Sequence, residues 1–371
     1  MRVVDVREVT VPLGAAMRNA EIGFETMTAS ALALITDGPL VGFAFDSIGR
    51  YGHGALLRER FIPRLKAARV EDWGDPFAIH DILMRNEKPG GHGERAGAVG
   101  LIDAAAWDLV AKLEGKPLWR VLAQRFNDGA ALARVPVYAS GGHYGERDLA
   151  DELKAYRARG YTRFKIKIGG ATLDEDEKRI EAALRVAGDG ANLAVDGNGT
   201  FARDRADAYL AMAAPYRLAW FEEPAPPLDF EMTRALAATT ATPIGTGENL
   251  FSAADARNLL LYGGLDPARD WLQFDVSLSY GIPEYLRILE DAARRGWSRQ
   301  RFVPHAGHLF SFHVVAGLGL AAHEAAPEDA SLFGGYPEGV RLEDGFVTPW
   351  TAPGVGFEAK PNLYAILRTL L

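Results

Sequence analysis

The feature that most constrains the fold is a unit of one apolar strand and one helix, which repeats along the chain from about residue 135. Helix signals separate the apolar runs. Asp148, for example, is a predicted N-cap before an apolar face formed by Leu149, Leu153 and Tyr156. Strands that alternate with helices form parallel sheets, and this many units predict a closed barrel. The predicted strands are 135–139, 163–168, 193–196, 218–222, 243–248, 271–275 and 301–305.

Six of these strands end at a polar residue, and successive members lie 26 to 30 residues apart, about one strand–helix unit. Because the carboxyl ends of the strands meet at one mouth, where such barrels keep their active sites, we expect the six side chains to converge. A single charged strand end often only faces water, but that interpretation does not explain six in phase. The six are Lys167, Asp196, Glu222, Glu248, Asp275 and His305.

Three of the six, Asp196, Glu222 and Glu248, form an all-oxygen set. Hard oxygen ligands without Cys or His are typical of Mg²⁺ sites, and Mn²⁺ could substitute. Without a cation, three converging carboxylates would repel each other. The sequence therefore predicts a divalent metal site at this mouth.

Lys165 and Lys167 lie on one face of the same predicted strand, because side chains alternate along a strand. A similar pair can protect an exposed sheet edge from aggregation. Here the apolar neighbours Phe164 and Ile166 predict a buried strand, in which burial and a nearby like charge lower a lysine pKa. The pair is therefore a candidate for a general base near neutral pH.

His305 follows Asp275 by one strand–helix unit, which predicts a second acid–base group oriented by a carboxylate. A lone histidine at a strand end is more often structural, but this one is in phase with the carboxylates. A proton next to a carboxylate is very weakly acidic, because its removal creates an enediolate dianion. A divalent cation and a lysine would stabilise that charge, and a tuned lysine or histidine would take the proton.

Composition excludes several other classes of protein. The chain of 371 residues has a formal net charge of −8, which argues against general nucleic-acid binding. It contains no cysteine, so disulfides, thiolate nucleophiles and zinc–thiolate sites are excluded. No apolar run reaches membrane-spanning length, and the N-terminal run carries charges unlike those of a signal peptide. We therefore expect a soluble cytoplasmic protein that acts on a small molecule.

Several motifs resemble the mandelate-racemase branch of the enolase superfamily. The resemblance implies an α/β protein, with a (β/α)₇β TIM-like barrel over residues 129–344. It also implies an α+β capping domain over 1–128, completed by the C-terminal tail 345–371, and a homo-oligomer by analogy. The motifs are Lys165-Ile166-Lys167, Asp196-Gly197-Asn198-Gly199, Glu222-Glu223-Pro224, Gly247-Glu248-Asn249, Asp275 and Pro304-His305.

Within that branch the chain is similar to the D-tartrate dehydratase family, on runs such as residues 86–95, 247–252, 255–260, 271–275 and 304–308. This similarity implies a hydro-lyase in which Asp196, Glu222 and Glu248 hold Mg²⁺. It makes Lys167 the base, with Lys165 beside it, and His305 with Asp275 the general acid. Lys88 would be an additional cation in the site. The predicted substrate-binding residues are Asn19, Glu21, Asp46, Ile48, Arg50 and Asn198.

The sequences of the cap loops do not determine which hydroxy acid is the substrate. Asp46 and Ile48 stand where amide side chains are expected, and Glu21 adds a charge, so we predict weak or absent activity on D-tartrate and favour a longer or neutral-ended hydroxy acid. The alternatives within the superfamily are another acid-sugar dehydratase and a racemase or epimerase. A barrel that binds a metal–carboxylate ligand without turnover would be a different class, and it needs neither a tuned base nor a positioned acid. A metal-assisted hydrolase would need an activated water nucleophile, and deuterium entering the substrate's α position from solvent would distinguish carbon–proton chemistry from hydrolysis.

Overall fold

The computed structural model describes residues 2–13, 18–48, 51–68, 73–144, 148–326, 332 and 334–371. Its N-terminal part is a three-stranded antiparallel sheet, in chain order, that packs on helices. A Cβ at Gly42 would lie 2.4 Å from the Ala105 carbonyl oxygen, so glycine is needed where the sheet meets the longest helix. The elements are β1 (Val3–Pro12), β2 (Thr28–Thr36), β3 (Val41–Phe45), α1 (His53–Leu56), a π-helical turn (Leu57–Phe61), α2 (Ile62–Ala68), α3 (Pro76–Met84), α4 (Glu94–Leu113) and α5 (Leu118–Phe126).

Strands and helices then alternate, as the sequence predicts. Asp148 caps the first of these helices with its side chain, and Thr172 and Glu175 form a capping box at the second. The elements are β4 (Val135–Ser140), α6 (Leu149–Ala158), β5 (Phe164–Lys167), α7 (Leu173–Ala187), β6 (Leu193–Asp196), α8 (Arg203–Ala213), β7 (Trp220–Glu222), α9 (Phe230–Ala237), β8 (Ile244–Thr246), α10 (Ala253–Tyr262), β9 (Trp271–Leu272), α11 (Ile282–Arg294), α12 (Leu309–Leu318) and β10 (His323–Ala325).

These strands close into a barrel. Strands β4 to β9 pair in parallel in chain order, and β10 pairs in parallel with β4. Between β9 and β10, Phe302 forms a parallel bridge to Leu272, and its carbonyl accepts a hydrogen bond from Ala321 N at 3.0 Å. Seven strands and this bridge give eight parallel positions. The predicted TIM-like barrel with an N-terminal α+β cap is confirmed.

Two predicted elements near the end of the barrel were wrong. The strand expected at 301–305 is reduced to the bridge at Phe302, because Pro304 has no N–H with which to extend the ladder. The helix expected to reach residue 323 ends at Leu318, where Gly319 takes the left-handed conformation (φ 69°). The eighth strand, β10, follows, and it carries Glu324 to the barrel mouth.

The C-terminal tail contacts both parts of the chain. It contains β12 (Phe346–Val347), which pairs with β11 (Leu342–Glu343) just before the tail, and α13 (Pro361–Leu367). Strand β12 pairs antiparallel with the start of β4, whereas the last turn reaches the N-terminal sheet, where Arg7 Nη1 donates to the Leu370 carbonyl at 2.8 Å. These contacts support the proposal that residues 345–371 complete the cap. In the described part of the chain, no helix is long and apolar enough to cross a membrane.

Candidate active site

The predicted carboxylate trio converges at the barrel mouth. Asp196 and Glu222 are the last residues of β6 and β7, and Glu248 follows β8 by two residues. All three are buried, and one oxygen from each lies within 4.8 Å of the others. Among the residues that the structure describes, Glu248 Oε2 has no hydrogen-bond partner. Three converging oxygen donors, one of them unsatisfied, fit a hard divalent cation such as Mg²⁺.

The two lysines of β5 contact this trio from one side. Lys165 Nζ pairs with Glu222, and with Glu324 at 2.9 Å, while Lys167 Nζ pairs with Asp196. Burial alone would lower the pKa of both lysines, but the surrounding carboxylates, Glu222 for Lys165 and Asp196 for Lys167, raise it. The expectation of a lowered lysine pKa was therefore wrong for the protein without metal, because it counted burial and the like charge and omitted the carboxylates.

His305 and Asp275 form the predicted pair, and His305 approaches the trio at Glu248. His305 Nδ1 lies 3.0 Å from Asp275 Oδ2, and His305 Nε2 lies 3.8 Å from Glu248 Oε2. Burial opposes protonation, but the charge of Glu248 and the hydrogen bond to Asp275 raise the pKa of His305 to about 9. Burial would raise the pKa of Asp275, yet hydrogen bonds from His305 and His308 hold it well below its usual range. A charged histidine can therefore act as an acid here.

The structure brings all six in-phase side chains together. Lys167 contacts the trio at Asp196, and His305 approaches it at Glu248. The two acid–base groups therefore flank the trio at different members. The chemical role of each side chain stays a prediction.

One of the two cap loops predicted to choose the substrate lies over β4 and β5. Arg18 forms a β-bridge with Tyr144, and the Phe24 ring meets the His143 ring edge-on at 6.3 Å. Asn19 is buried, and its Oδ1 accepts from Glu21 N at 2.9 Å, so it shapes the loop itself. The Glu21 side chain is exposed.

The second cap loop reaches the acid pair, but through a residue that the sequence did not single out. Ser47 Oγ donates to Asp275 Oδ2 at 2.6 Å. Asp46 instead receives His53 Nδ1 at 2.6 Å, and although burial lowers the pKa of His53, the charge of Asp46 raises it to about 10. The Asp46 carboxylate therefore has a cation partner within the cap. Ile48 is half-buried, and Arg50 lies outside the described residues.

Two further predicted residues have clear positions. Asn198 donates its backbone N–H to Asp196 Oδ1 at 2.7 Å, and its own Oδ1 is buried with no hydrogen-bond partner in the described part of the chain. Lys88 is exposed, and its carbonyl accepts from Arg95 Nη1 at 2.9 Å. Among the described residues, the Lys88 ammonium forms no hydrogen bond or ion pair with the six mouth residues. Asn198, in contrast, contacts the trio at Asp196.

Sequence reasoning missed three residues that complete the mouth. Glu324 pairs with Lys165 and accepts from Ala306 N at 2.9 Å. Trp220 Nε1 and Gln273 Nε2 both donate to Glu222 Oε2. Glu324 follows His305 by only 19 residues and so falls out of phase with the other strand ends. The Trp220 and Gln273 side chains were hidden within apolar strand runs.

The fold and the site together define a class: a barrel enzyme with a carboxylate trio, two lysines and a His–Asp pair under a cap. A family model described as enolase C-terminal domain-like matches residues 148–363, more than half of the chain. The chain therefore belongs to this family. Its predicted place in the enolase superfamily, in the mandelate-racemase branch, is confirmed.

Similar proteins include several dehydratases. The L-talarate/galactarate dehydratase of Salmonella typhimurium is 31% identical over 76% of this chain and 67% of its own length. The arabinonate dehydratase of Saccharolobus solfataricus is 26% identical over 71% of this chain and 70% of its own length. An L-talarate/galactarate dehydratase variant liganded with Mg and L-glucarate superposes with a TM-score of 0.81 at 26% identity, over 98% of this chain and 90% of that chain. A racemase from Streptomyces coelicolor with bound magnesium gives 0.80 at 25% identity, over 96% and 98%.

Proposed function

We propose that this protein is a Mg²⁺-dependent dehydratase of an acid sugar, which removes the proton next to the carboxylate and eliminates the β-hydroxyl to give a keto acid. The observation that carries the proposal is the placement of Lys167 and His305 at different members of one carboxylate trio. Elimination needs a base at one carbon and an acid at the next. The similarity to dehydratases of talarate, galactarate and arabinonate supports this choice.

In this proposal the metal ligands, Lys167 and His305 each have a separate role in the elimination. Mg²⁺ held by Asp196, Glu222 and Glu248 would supply positive charge for the substrate carboxylate. Lys167 Nζ takes the α-proton, and the electron pair of that C–H bond moves towards the carboxylate to give an enediolate, which then forms the carbon–carbon double bond as the β-hydroxyl leaves. His305 Nε2 gives that hydroxyl a proton, so that it departs as water. The resulting enol tautomerises to the keto acid.

Asp275 prepares His305 for this step. It binds Nδ1, which leaves Nε2 as the nitrogen that faces the trio. It also stabilises the imidazolium, because the Asp275 carboxylate is held ionised by its hydrogen bonds. The pKa of His305, raised to about 9 by Glu248 and Asp275 before any cation binds at the trio, favours the protonated form that a general acid requires.

A racemase or epimerase is the second candidate. It would use Lys167 and His305 at the same carbon, with one group taking the proton and the other returning it on the opposite face. The similarity to the Streptomyces racemase favours keeping this candidate. The distinction between the two is whether the β-hydroxyl leaves.

For the substrate, we propose an acid sugar longer than D-tartrate, while the four-carbon diacid stays in the test as the competing choice. The similar six-carbon and five-carbon acid dehydratases support the longer chain. The proposal no longer depends on repulsion by Asp46, because His53 pairs with that carboxylate.

The test is a screen of galactarate, L-talarate, gluconate, arabinonate and D-tartrate with Mg²⁺ in D₂O. Keto-acid formation is read by semicarbazide absorbance, and deuterium at the α-carbon by ¹H NMR. We expect keto acid from at least one longer acid and little from D-tartrate. Deuterium exchange with inversion and no keto acid would support the epimerase instead. Neither signal with any acid would contradict both functions.

A further inference from the structure

Ser47 joins the cap to the acid pair of the barrel. It lies two residues after the end of β3, and its Oγ–H donates to Asp275 Oδ2 at 2.6 Å across 228 residues of sequence. Both side chains are buried. A buried hydrogen bond to an ionised carboxylate is among the stronger ones in proteins. Ser47 therefore contributes to the environment of Asp275 and not to a solvent-exposed surface.

Within the described chain the Asp275 carboxylate receives four hydrogen bonds of 3.1 Å or less, two on each oxygen, and His308 Nε2 lies 3.6 Å from Oδ1. The barrel supplies both donors to Oδ1 and one donor to Oδ2, and the cap supplies the second donor to Oδ2. Four donors fill the acceptor sites of a carboxylate and fix its rotation. The donors are Ser277 N (2.7 Å) and Leu278 N (3.1 Å) on Oδ1, and His305 Nδ1 (3.0 Å) and Ser47 Oγ (2.6 Å) on Oδ2.

The loop that carries Ser47 is itself anchored in the cap. Asp46 N donates to the Ser30 carbonyl at 3.0 Å, and Asp46 Oδ2 binds His53 Nδ1 at 2.6 Å. His53 Nε2 in turn lies 3.2 Å from Glu94 Oε2 at the start of α4. Successive side chains thus point in different directions, Asp46 into the cap and Ser47 into the barrel. The position of Ser47 is therefore set by the cap as a whole.

We propose that Ser47 is a positioning residue: through Asp275 it holds His305 with Nε2 facing the trio, so that the acid pair is fully assembled only when the cap is docked. The catalytic consequence rests on the function proposed above. Without Ser47, Asp275 Oδ2 keeps a single donor, and the carboxylate can rotate away from His305. His305 is then still present as a proton donor, but its Nε2 is no longer held facing the trio.

The first test needs no substrate. The His305 Nδ1–H···Oδ2 proton should give a downfield ¹H NMR signal, identified by its absence in His305→Asn. We expect this signal to shift or broaden in Ser47→Ala and to be retained in Ser47→Thr, which keeps a hydroxyl. Ser30→Ala, which truncates another buried cap serine away from Asp275, should leave it unchanged. An unaltered signal in Ser47→Ala would overturn the positioning role, whatever the enzyme acts on.

The second test uses the acid that the wild-type protein dehydrates. Losing a hydrogen bond to a charged group corresponds to a roughly ten- to hundredfold fall in rate, and we expect that fall in the kcat for keto acid in Ser47→Ala. KM should stay within about threefold, and Lys167-driven α-deuterium exchange should persist, because neither involves Asp275. Equal losses of exchange and elimination would refute a role confined to the acid. If no acid is turned over, the proposed function fails, while the NMR result still decides the role of Ser47.

Discussion

Two isosteric substitutions in the carboxylate trio should change the stability of the metal-free protein in opposite directions. Among the described residues Glu248 Oε2 is buried without a hydrogen-bond partner, and its ion-pair partner His305 Nε2 is 3.8 Å away, so Glu248→Gln removes a weakly compensated charge from a mouth crowded with carboxylates. Glu222 instead accepts from Lys165, Trp220 and Gln273, so Glu222→Gln takes an ion-pair partner from a buried ammonium. The first change should be neutral or stabilising, and the second destabilising.

The magnitude follows from burial and chain length. Breaking a buried ion pair costs about 3–5 kcal/mol, and Lys165 keeps Glu324 at 2.9 Å, so we expect the lower end. With an unfolding entropy of about 2.1 cal/mol/K per residue over 371 residues, 1 kcal/mol shifts Tm by about 1.3 °C. Glu222→Gln should therefore lower Tm by about 4 °C, whereas Glu248→Gln should leave it unchanged or raise it by about 1–2 °C.

The assay is calorimetric unfolding after treatment with EDTA, repeated with Mg²⁺. At about 100 times Kd, Mg²⁺ should stabilise the wild-type protein by about 2.7 kcal/mol, or about 3.5 °C. Both variants should lose most of this gain, because each lacks one ligand charge. This account of the trio would be refuted if Mg²⁺ did not change the Tm of the wild-type protein. It would also be refuted if the metal-free Glu248→Gln protein were destabilised as much as Glu222→Gln.

The remaining predictions concern the acid pair and the cap. His305→Asn should abolish keto-acid formation while α-deuterium exchange continues, and Lys167→Ala should lose both, as ¹H NMR and absorbance will show. Asp46→Asn should lower Tm but leave the ratio of kcat/KM between diacids and monoacids within about twofold, because His53 pairs with its carboxylate. Since the pKa of His53 rises from 6.5 to about 10 on folding, its ion pair stabilises fully below pH 6.5 and is lost towards pH 10, so the Tm deficit of His53→Gln should shrink over that range.

The barrel and its six mouth residues could be predicted because both depend on a local repeat. Each strand–helix unit returns the chain to the same end of the sheet, so Asp196, Glu222 and Glu248 are aligned by sequence spacing alone. Glu324 escaped this reasoning because the last predicted helix ran on to residue 323, over the start of β10, and because Glu324 follows His305 by only 19 residues. Sequence spacing therefore locates side chains on strand–helix units of regular length and misses side chains on shorter units.

The cap contacts could not be predicted because they join distant parts of the chain. The hydrogen bond from Ser47 to Asp275 depends on how the N-terminal sheet docks on the barrel, and no sequence pattern encodes that docking. Asp46 and His53 are only seven residues apart, yet the direction of each side chain is set by the loop and by α1. For this reason the expectation that Asp46 repels a substrate carboxylate left out His53, which pairs with the Asp46 carboxylate within the cap.

The lysine pKa values show that the mouth has to be treated as one system of charges. Lys167 shares Asp196 with the predicted metal, and Lys165 shares Glu222, so the carboxylates that would bind Mg²⁺ are those that keep the lysines protonated. Mg²⁺ bound at the trio would weaken the electrostatic attraction between these carboxylates and the protonated lysines. By linkage, metal binding and the neutral form of Lys167 must then favour each other. If Lys167 is the base, as proposed above, then the ion predicted at the trio would also favour its deprotonation, which would link the active base to a metal-loaded site.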